Sequence, residues 1–312
     1  MKAAEGHGFG KTILFGEHFV VYGLPAIASA IGSKTTAVIE PADRYELVDL
    51  RPATPGYKEE KHGEQVESNR LIFSACKVDV EETPFKLTLG GDLIAASGVG
   101  ASAASAAAIA RALNQYFELG YDDAHINALA YEGEKGYHGK PSGIDNTAAV
   151  YGGLIWFAKN LKGGENTMDL LKMPRPVEIV LGNTGITAST KEVVEDVRRN
   201  REKDPKKYGR IFAKYGEIVV SARKAITEGD LEAVGRLMDR NHELLEEMTV
   251  SCDELDLLVG VAREEGAAGA KMTGTGRGGL MVALTPGKHL QDKVAEAIEG
   301  EGFVAYKTKI GI

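Results

Sequence analysis

A loop of small residues that leads into an alanine-rich segment is the feature that most constrains this chain. The loop reads Ser97-Gly98-Val99-Gly100-Ala101-Ser102, and the alanine-rich segment covers residues 103–112. Glycines let a backbone approach a ligand closely, and a helix after the loop would direct its free N–H groups and positive dipole end at an anion. The pattern predicts a phosphate-binding loop, and a tight turn with close helix packing is the alternative from these residues alone.

The loop matches neither of two common nucleotide-binding motifs. It is not the Walker loop, because no Gly-Lys-Ser/Thr sequence ends it. It is not the dinucleotide-binding motif either, because Ala103 stands where that motif has its third glycine. The residues predicted to contact phosphate are Ser97, Gly98, Val99, Gly100, Ala101, Ser102 and Ala103.

Charge and composition exclude several classes of protein. The formal net charge of -8 argues against a nucleic-acid-binding protein, since the phosphate backbone favours a basic surface. No apolar stretch is long enough to span a membrane, and the first residues, with Glu5 and His7, lack the apolar core of a signal peptide. The two cysteines, Cys76 and Cys252, lack zinc-site spacing and are predicted to be buried thiols. We therefore expect a soluble cytoplasmic protein with no nucleic-acid or membrane partner.

Local patterns in the first half predict alternating strands and helices. Short β-branched runs predict strands, and longer periodic segments predict helices. The strands cover residues 26–31, 35–40, 45–50 and 85–89, and the helices cover residues 64–76, 101–117 and 122–137. Residues 51–62 are predicted to form an exposed, mobile loop, because two prolines and several charges fall within them.

The second half is richer in helices. Four helical stretches cover residues 189–201, 205–228, 231–248 and 253–265, and a last helix covers residues 290–299. Strands are predicted at residues 177–182, 270–273, 279–284 and 303–307. The chain is thus predicted to be α+β with two domains, residues 1–180 and residues 181–312.

Three further segments carry a family resemblance. Residues 8–23 read GFGKTILFGEHFVVYG, residues 138–146 read HGKPSGIDN, and residues 271–279 read KMTGTGRGG. Together with the phosphate-binding loop, these motifs stand in the order found in the GHMP kinases, and the chain resembles that family over nearly its whole length. The run FVVYG after Gly-Glu-His and the run HGKPSGIDN are typical of the members that act on mevalonate.

The resemblance implies a fold, an activity and an assembly. The fold would be that of a two-domain GHMP kinase, with an N-terminal domain like domain 2 of ribosomal protein S5 and a ferredoxin-like C-terminal domain. The activity would be transfer of the γ-phosphoryl group of ATP, with Mg²⁺, to the primary hydroxyl of mevalonate in isoprenoid biosynthesis. A homodimer is the assembly that the resemblance suggests.

Other functions remain open from the sequence. Within the same fold, they are a kinase for phosphomevalonate or another small alcohol, and diphosphomevalonate decarboxylase. A different class is a catalytically silent relative that binds nucleotide or regulates a partner. The last reading is disfavoured because every candidate catalytic position is filled.

Asp145 and Lys11 are the candidates for the catalytic step. Asp145 follows Pro141-Ser142-Gly143 where a new segment opens, and its carboxylate can accept a proton from a substrate hydroxyl. Lys11 stands between a glycine and an apolar strand, and its ammonium can hold that carboxylate ionised and stabilise charge on the transferred group. The resemblance gives both residues these roles. A helix cap for Asp145 and an edge-strand position for Lys11 are the structural alternatives.

Ser102 and Glu134 are the candidates for Mg²⁺ binding. Mg²⁺ prefers hard oxygen ligands, few of them from protein, and direct contact with phosphate. Glu132 and Glu134 are two residues apart on a predicted helix, so they point to different faces, and the resemblance selects Glu134. Ala101 stands where the family often has a first serine, whereas Ser102 matches the metal-binding one.

Four residues are candidates for substrate binding: His18, Glu17, Thr190 and Tyr151. His18, beside Glu17, can offer a hydrogen bond or a positive charge to a small carboxylate. The resemblance places Thr190 near substrate and phosphate, although a helix N-cap is an equally natural role for it. Tyr151 is either a wall of the substrate pocket or a core residue.

Residues 274–279 form a glycine-rich loop that the resemblance implies closes over the active site. A plain hairpin between two strands is the structural alternative. Arg277 stands where the family more often has glycine. The sequence leaves open whether the Arg277 side chain reaches phosphate or faces solvent.

Overall fold

The computed structural model describes residues 2–96, 98–164 and 166–312, and the chain forms two compact units. Unit 1 contains the residues up to Lys11 and Ala30–Gly152, and unit 2 contains Thr12–Ser29 and Gly153–Ile312. The two units are groups of residues that pack compactly with one another. The predicted domain boundary between residues 180 and 181 is a different division of the chain, and it stays a prediction.

Four strands from the first hundred residues contribute to unit 1. They are β1 (Ala4–Phe15), β2 (Ala26–Pro41), β3 (Glu46–Asp49) and β4 (Phe85–Gly91), and β1 and β2 both continue into unit 2. β4 pairs antiparallel with the end of β2 and parallel with β3. The two strands predicted at residues 26–31 and 35–40 are one strand, because the partly buried Gly32, Ser33 and Lys34 continue the extended backbone between them.

The helices of unit 1 pack around the alanine-rich segment. They are α1 (Tyr57–Glu60), α2 (His62–Cys76), α3 (Ala101–Tyr116), α4 (Asp123–His138) and α5 (Ile144–Tyr151). Residues 103–110 of α3 are fully buried, since small side chains let other elements approach the helix on all sides. A β-carbon on Gly133 of α4 would lie 2.8 Å from the Ile72 side chain and 2.9 Å from that of Ala106, so glycine permits this close helix packing.

β1 also approaches α3 closely, and two glycines make that possible. A β-carbon on Gly6 would lie 2.2 Å from the carbonyl oxygen of Ala108, and one on Gly8 would lie 2.2 Å from that of Ala104. Any larger side chain would push the strand away from the helix. This contact fixes the position of Lys11, which ends the unit 1 part of β1, relative to the start of α3.

The prediction of an exposed, mobile loop at residues 51–62 is wrong for its first residue and for its conformation. Arg51 is buried, and its guanidinium donates to Asp49 Oδ2 at 2.6 Å, to Gln65 Oε1 at 3.2 Å and to the Ser105 hydroxyl. The chain then forms α1 and enters α2 at His62. The sequence of this segment alone does not indicate the burial of Arg51, because its partners lie on β3, α2 and α3.

Unit 2 contains the remaining elements. After a short 3₁₀ helix at Phe19–Tyr22, they are β5 (Leu154–Ala158), β6 (Thr167–Leu171), β7 (Val177–Asn183), α6 (Thr190–Lys203), α7 (Pro205–Glu228), α8 (Leu231–Glu247), α9 (Asp253–Glu264), β8 (Gly269–Thr273), β9 (Leu280–Leu284), α10 (Lys288–Gly300) and β10 (Val304–Ile310). β7 pairs antiparallel with β10 and with β9, and β9 pairs antiparallel with β8. β5 joins the start of β2 to β6.

Two sequence-based expectations about side chains have different outcomes. Cys76 is buried, and burial raises the pKa of its thiol to about 11, as expected for an inert core cysteine. Cys252 is only partly buried, because it lies at the N-cap of α9, so the prediction of a buried thiol is wrong there. Within the described ranges, no helix combines the length and apolarity that a membrane span requires.

Candidate active site

The predicted phosphate-binding loop leads directly into α3. Gly98 and Gly100 both have positive φ angles, +91° and +71°, and α3 begins at Ala101. The first N–H groups of a helix have no partner within it, so they form a ready-made site for an anion. The side chains of Val99, Ala101 and Ala103 are buried, which leaves the backbone as the part of the loop that can bind phosphate. The prediction for Ser97 lies outside the described residues.

Lys11 is held against this loop by its own backbone. Its N–H donates to the carbonyl of Val99 at 2.8 Å, and its Nζ donates to the carbonyl of Gly98 at 3.5 Å. The same Nζ lies 3.6 Å from Asp145 Oδ1. Lys11 is only 8% exposed, so the reading as an incidental edge-strand lysine does not fit this position.

Asp145 lies in the first turn of α5 and points to Lys11 rather than to its own helix. Gly143, with φ +90°, occupies the N-cap of α5 and leaves no side-chain cap. Asp145 therefore does not cap the helix, and that alternative reading is wrong. Its side chain is about one-third exposed, so a substrate hydroxyl can reach the carboxylate while Lys11 stays beside it.

Glu134 is almost completely buried next to these residues. Its side chain is 1% exposed, and burial, with the nearby charge of Asp145, raises the pKa of its carboxyl to about 8. The Ser102 hydroxyl forms a hydrogen bond with the carboxylate, and this bond lowers the pKa of Glu134. Glu132 instead pairs with Lys135 at 2.6 Å on the partly exposed face of α4, so the helix geometry separates the two glutamates as predicted.

The oxygens around Glu134 fit a hard divalent cation. Among the described residues, Glu134 Oε1 is buried without a hydrogen-bond partner, although an unpaired buried carboxylate oxygen is costly. The nearest histidine nitrogen, His138 Nε2, lies 3.8 Å from the other oxygen. A buried carboxylate, a serine hydroxyl and a second carboxylate are the donors that Mg²⁺ accepts.

A cavity of about 240 Å³ opens beside Asp145. Its lining comes from the end of α4, the following turn and the start of α5: Glu134, His138, Lys140, Pro141, Ser142, Gly143, Asp145 and Asn146. The amine of Lys140 and the imidazole of His138, whose pKa is lowered by burial, thus accompany the two carboxylates. The cavity can accept a small polar ligand.

Glu17 is occupied by an ion pair inside unit 2. Its carboxylate accepts from Lys271 Nζ and, at 3.1 Å, from the backbone N–H of Gly16. Both charged side chains are completely buried, and Lys271 Nζ also donates to the Met272 carbonyl at 2.5 Å. The geometry therefore favours a structural role for Glu17, since its oxygens are engaged by protein.

His18 and Thr190 converge on Thr275 of the glycine-rich loop. His18 Nε2 donates to the Thr275 carbonyl at 2.7 Å, and burial lowers the pKa of the imidazole. The neutral ring therefore carries its proton on Nε2 and leaves Nδ1 as an acceptor. The Thr190 and Thr275 hydroxyls lie 2.7 Å apart. Ser189 caps α6, accepting from the N–H of Glu192, so the alternative reading of Thr190 as the cap is wrong.

Arg277 takes neither of the two directions left open by the sequence. Its Nη1 donates to Asp196 Oδ2 at 2.6 Å, and its Nε donates to the Thr249 carbonyl at 3.2 Å. Its backbone N–H donates to the Val250 carbonyl at 2.9 Å, with φ at +52°. The arginine thus connects the glycine-rich loop to α6 and to the turn after α8.

Comparison with known proteins identifies the family. Residues 70–153 match the model of the GHMP kinases N terminal domain, and residues 222–304 match that of the GHMP kinases C terminal domain. Mevalonate kinase of Thermococcus sibiricus is 36% identical over 96% of this chain and 94% of its own length. That of Pyrococcus abyssi is also 36% identical, over 96% of this chain and 93% of its own length.

The chain belongs to the mevalonate kinase family of GHMP kinases.

A solved mevalonate kinase structure shows the same fold. The crystal structure of L. major mevalonate kinase in complex with R-mevalonate has a TM-score of 0.93 and 39% identity, and the match covers 98% of this chain and 95% of that one. The two-domain GHMP kinase fold expected from the sequence is confirmed. The chain is therefore a kinase, as its family membership requires.

Three residues that the sequence analysis did not select lie in the candidate site, and Tyr151 lies outside the core. His138, Lys140 and Asn146 line the cavity beside Asp145, although we did not predict a role for them. Their place within the run HGKPSGIDN is the signal that could have found them. Tyr151 ends α5 and is 39% exposed, so the reading of Tyr151 as a core residue is wrong.

Proposed function

We propose that this chain transfers the γ-phosphoryl group of ATP to the primary hydroxyl of mevalonate, which forms 5-phosphomevalonate in isoprenoid biosynthesis. The observation that carries the proposal is the Lys11–Asp145 pair at 3.6 Å beside the phosphate-binding loop. The similarity to mevalonate kinases over nearly the full chain supports the choice of acceptor.

The loop and the start of α3 bind the nucleotide phosphates in this proposal. The backbone from Gly98 to Ala103 offers N–H groups near the helix N-terminus, where the helix dipole favours negative charge. Ser97 belongs to the same proposed contact set. The positive φ angles at Gly98 and Gly100 favour glycine at both positions. At Gly100 there is a second reason, because a β-carbon there would lie 2.8 Å from Lys11 Cγ.

Asp145 is the proposed general base. Its carboxylate accepts the proton of the substrate hydroxyl as the oxygen attacks the γ-phosphorus, and the bond from that phosphorus to the β,γ-bridging oxygen breaks to release ADP. The ammonium of Lys11 stabilises the ionised carboxylate before transfer. The same charge then stabilises the negative charge on the transferred group.

Ser102 and Glu134 are the proposed ligands of Mg²⁺. The unpartnered Oε1 of Glu134 supports this assignment, since an ion would satisfy an oxygen that the protein leaves unpaired. When bound, Mg²⁺ supplies neutralisation of phosphate charge during phosphoryl transfer. Ser102 orients the Glu134 carboxylate through their hydrogen bond.

The four candidate substrate-binding residues have different proposed roles. His18 would accept a hydrogen bond from a substrate hydroxyl at Nδ1, because the neutral ring offers no positive charge to a carboxylate. Thr190 would bind substrate through the hydroxyl that meets Thr275. Glu17 would act indirectly, through its ion pair with Lys271. Tyr151, exposed at the end of α5, would form part of the wall of the substrate pocket.

A panel of acceptors tests the proposed function. Release of ADP by the purified chain is measured with ATP and Mg²⁺ and with mevalonate, phosphomevalonate, homoserine or galactose, and Asp145→Asn serves as the control. Turnover on mevalonate alone, lost in Asp145→Asn, is the expected result. Turnover on another alcohol would retain the kinase mechanism and overturn the acceptor. No turnover on any of the four would favour a binding protein.

A further inference from the structure

Three potential metal ligands meet in unit 2, in a cluster that the proposed phosphoryl transfer does not use. His242 and Glu246 lie one turn apart on α8, and Asp256 lies in the first turn of α9. One ligand atom from each residue lies within 4.8 Å of the other two. His242 Nε2 is 3.3 Å from Asp256 Oδ1.

The imidazole of His242 is buried and aimed into this cluster. The residue is 2% exposed, and within the described part of the chain Nε2 has no hydrogen-bond partner. Its other nitrogen, Nδ1, accepts from the Met272 N–H at 3.4 Å. A buried ring nitrogen without a partner is costly, and binding a ligand would remove that cost.

The two carboxylates also lack a dedicated positive partner. The nearby cations are engaged elsewhere: Arg263 donates to Asp239 and to the Ala270 carbonyl, and Lys271 pairs with Glu17. The Ser251 hydroxyl donates to Asp256 Oδ1 and orients that carboxylate.

The spacing of the cluster suits a tetrahedral metal ion. Ligands at about 2.0–2.2 Å from zinc in a tetrahedral arrangement lie roughly 3.3–3.5 Å from one another. His242 Nε2 and Asp256 Oδ1 already have this separation, at 3.3 Å. Glu246 is exposed and shares a helix face with His242, so its flexible side chain can close the remaining distance.

We propose that His242, Glu246 and Asp256 bind a divalent transition-metal ion of the zinc class. One imidazole nitrogen and two carboxylate oxygens form a donor set that such ions accept, and a water molecule completes a four-coordinate site. Mg²⁺ and Ca²⁺ prefer sites made of oxygen alone, so the histidine selects against them. The site is independent of the proposed acceptor and of the residues around Asp145.

Metal binding would break one hydrogen bond of His242. Coordination through Nε2 moves the ring proton to Nδ1, which ends the hydrogen bond from the Met272 N–H. That bond is long, at 3.4 Å, so little is lost. Nδ1 is then left facing an N–H group, and we expect binding weaker than at a structural zinc site with four protein ligands.

The ion would connect the end of α8 to the start of α9. The turn between them contains Thr249 and Val250, whose carbonyls accept the hydrogen bonds from Arg277. A cation held by both helices would fix this turn and, through it, the base of the glycine-rich loop. The expected role is structural: it stabilises unit 2.

Calorimetric titration of Zn²⁺ into the full chain tests the proposal. Excess Mg²⁺ is present throughout to occupy oxygen-only sites. Wild type is compared with Glu246→Gln and Asp256→Asn, which remove one ligand each. Glu243→Gln is the matched control, because Glu243 is an exposed neighbour on α8 that contributes charge but no ligand. Glu246 is exposed and Asp256 is partly exposed, so both variants are expected to fold, and circular dichroism checks this.

The proposal expects one Zn²⁺ per chain. Each ligand variant should weaken binding by about tenfold or more, with less than about threefold for the control, since losing a ligand costs more than losing a nearby charge. Replacing Zn²⁺ with Co²⁺ should give visible absorption bands, and Glu246→Gln should reduce these bands at the same Co²⁺ concentration. Absence of binding in wild type would overturn the proposal. Equal binding by wild type and both ligand variants would also overturn it, because the ion would then lie elsewhere.

Discussion

Lys11 Nζ and Asp145 Oδ1 lie 3.6 Å apart, and the same ammonium reaches the carbonyl of Gly98 at 3.5 Å. One side chain therefore contacts both the proposed base and the proposed phosphate-binding loop. The backbone of Lys11 is fixed as well, by its hydrogen bond to Val99. In the proposed mechanism, this arrangement places the charge of Lys11 beside both the leaving proton of the acceptor and the transferred phosphoryl group.

Asp145→Asn should lower kcat by about a hundredfold or more, because asparagine cannot accept the hydroxyl proton. KM for mevalonate should change little, since the residue contributes mainly to the transition state. Steady-state kinetics measure both constants. Asp123→Asn is the matched control, because Asp123 also lies in the first turn of a helix but pairs with Arg111 instead. An equal loss of kcat in the control would contradict the assignment.

Gly100→Ala and Gly120→Ala separate backbone strain from displacement of Lys11. The two glycines have almost the same φ, +71° and +70°, but only a β-carbon at position 100 would contact Lys11, at 2.8 Å from Cγ. Both variants should lose roughly 1–2 kcal/mol of stability from the left-handed conformation. Only Gly100→Ala should also lose activity, by about tenfold to a hundredfold. Urea unfolding and kcat measure the two effects. Full activity in Gly100→Ala would show that Lys11 need not stay in place.

His18→Gln should change how stability depends on pH. Burial lowers the pKa of His18 in the folded state, so the unfolded chain binds more protons as the pH falls below about 6.5, the ordinary value for histidine. His18 therefore contributes a loss of stability on acidification, and glutamine, which keeps an N–H donor for Thr275, removes it. The measurement is the urea midpoint at pH 7.5 and pH 5.5. The wild type should lose more than the variant between these values, and parallel losses would contradict the assignment.

Arg277→Gly should affect substrate binding more than stability. Glycine relieves the strain of φ +52°, worth roughly 1 kcal/mol, and loses a partly exposed ion pair with Asp196 of similar or smaller value. The loop would also lose its connection to Thr249, so KM for mevalonate should rise about threefold to tenfold as the loop loosens. Asp196→Asn breaks the same pair without relieving strain and should raise KM while lowering the melting temperature. An unchanged KM in both variants would mean that the glycine turn alone positions the loop.

Most elements could be predicted from local sequence. The helices of unit 2 have strong apolar periodicity and clear capping signals, and the observed cap of α4 at Asp122 is of the same kind. β5 and β6 were not predicted, although the buried run at Leu154–Ala158 carried a strand signal. The full length of β1 could not be predicted, because its glycines are typical of turns. In the structure they allow β1 to pack closely against α3.

Some residues of the candidate site could be predicted from the sequence, whereas contacts between distant segments could not. Ser102 and Asp145 could be selected because each lies in a recognisable motif, and Glu134 because the family resemblance selected it over Glu132. The ion pair of Glu17 with Lys271 could not, since it joins residues 254 positions apart, and neither could the bonds of Arg277 to Asp196 and Thr249. Such contacts depend on how helices and loops pack, and a single sequence contains no local signal for them.

The most direct test of the central claim is the identity of the phosphorylated product. The purified chain is incubated with mevalonate, ATP and Mg²⁺, and phosphorus NMR with mass spectrometry locates the new phosphate. The account predicts a phosphate monoester on the primary hydroxyl oxygen, formed together with one ADP. Phosphate on the tertiary hydroxyl, or ADP released without a phosphorylated product, would contradict it.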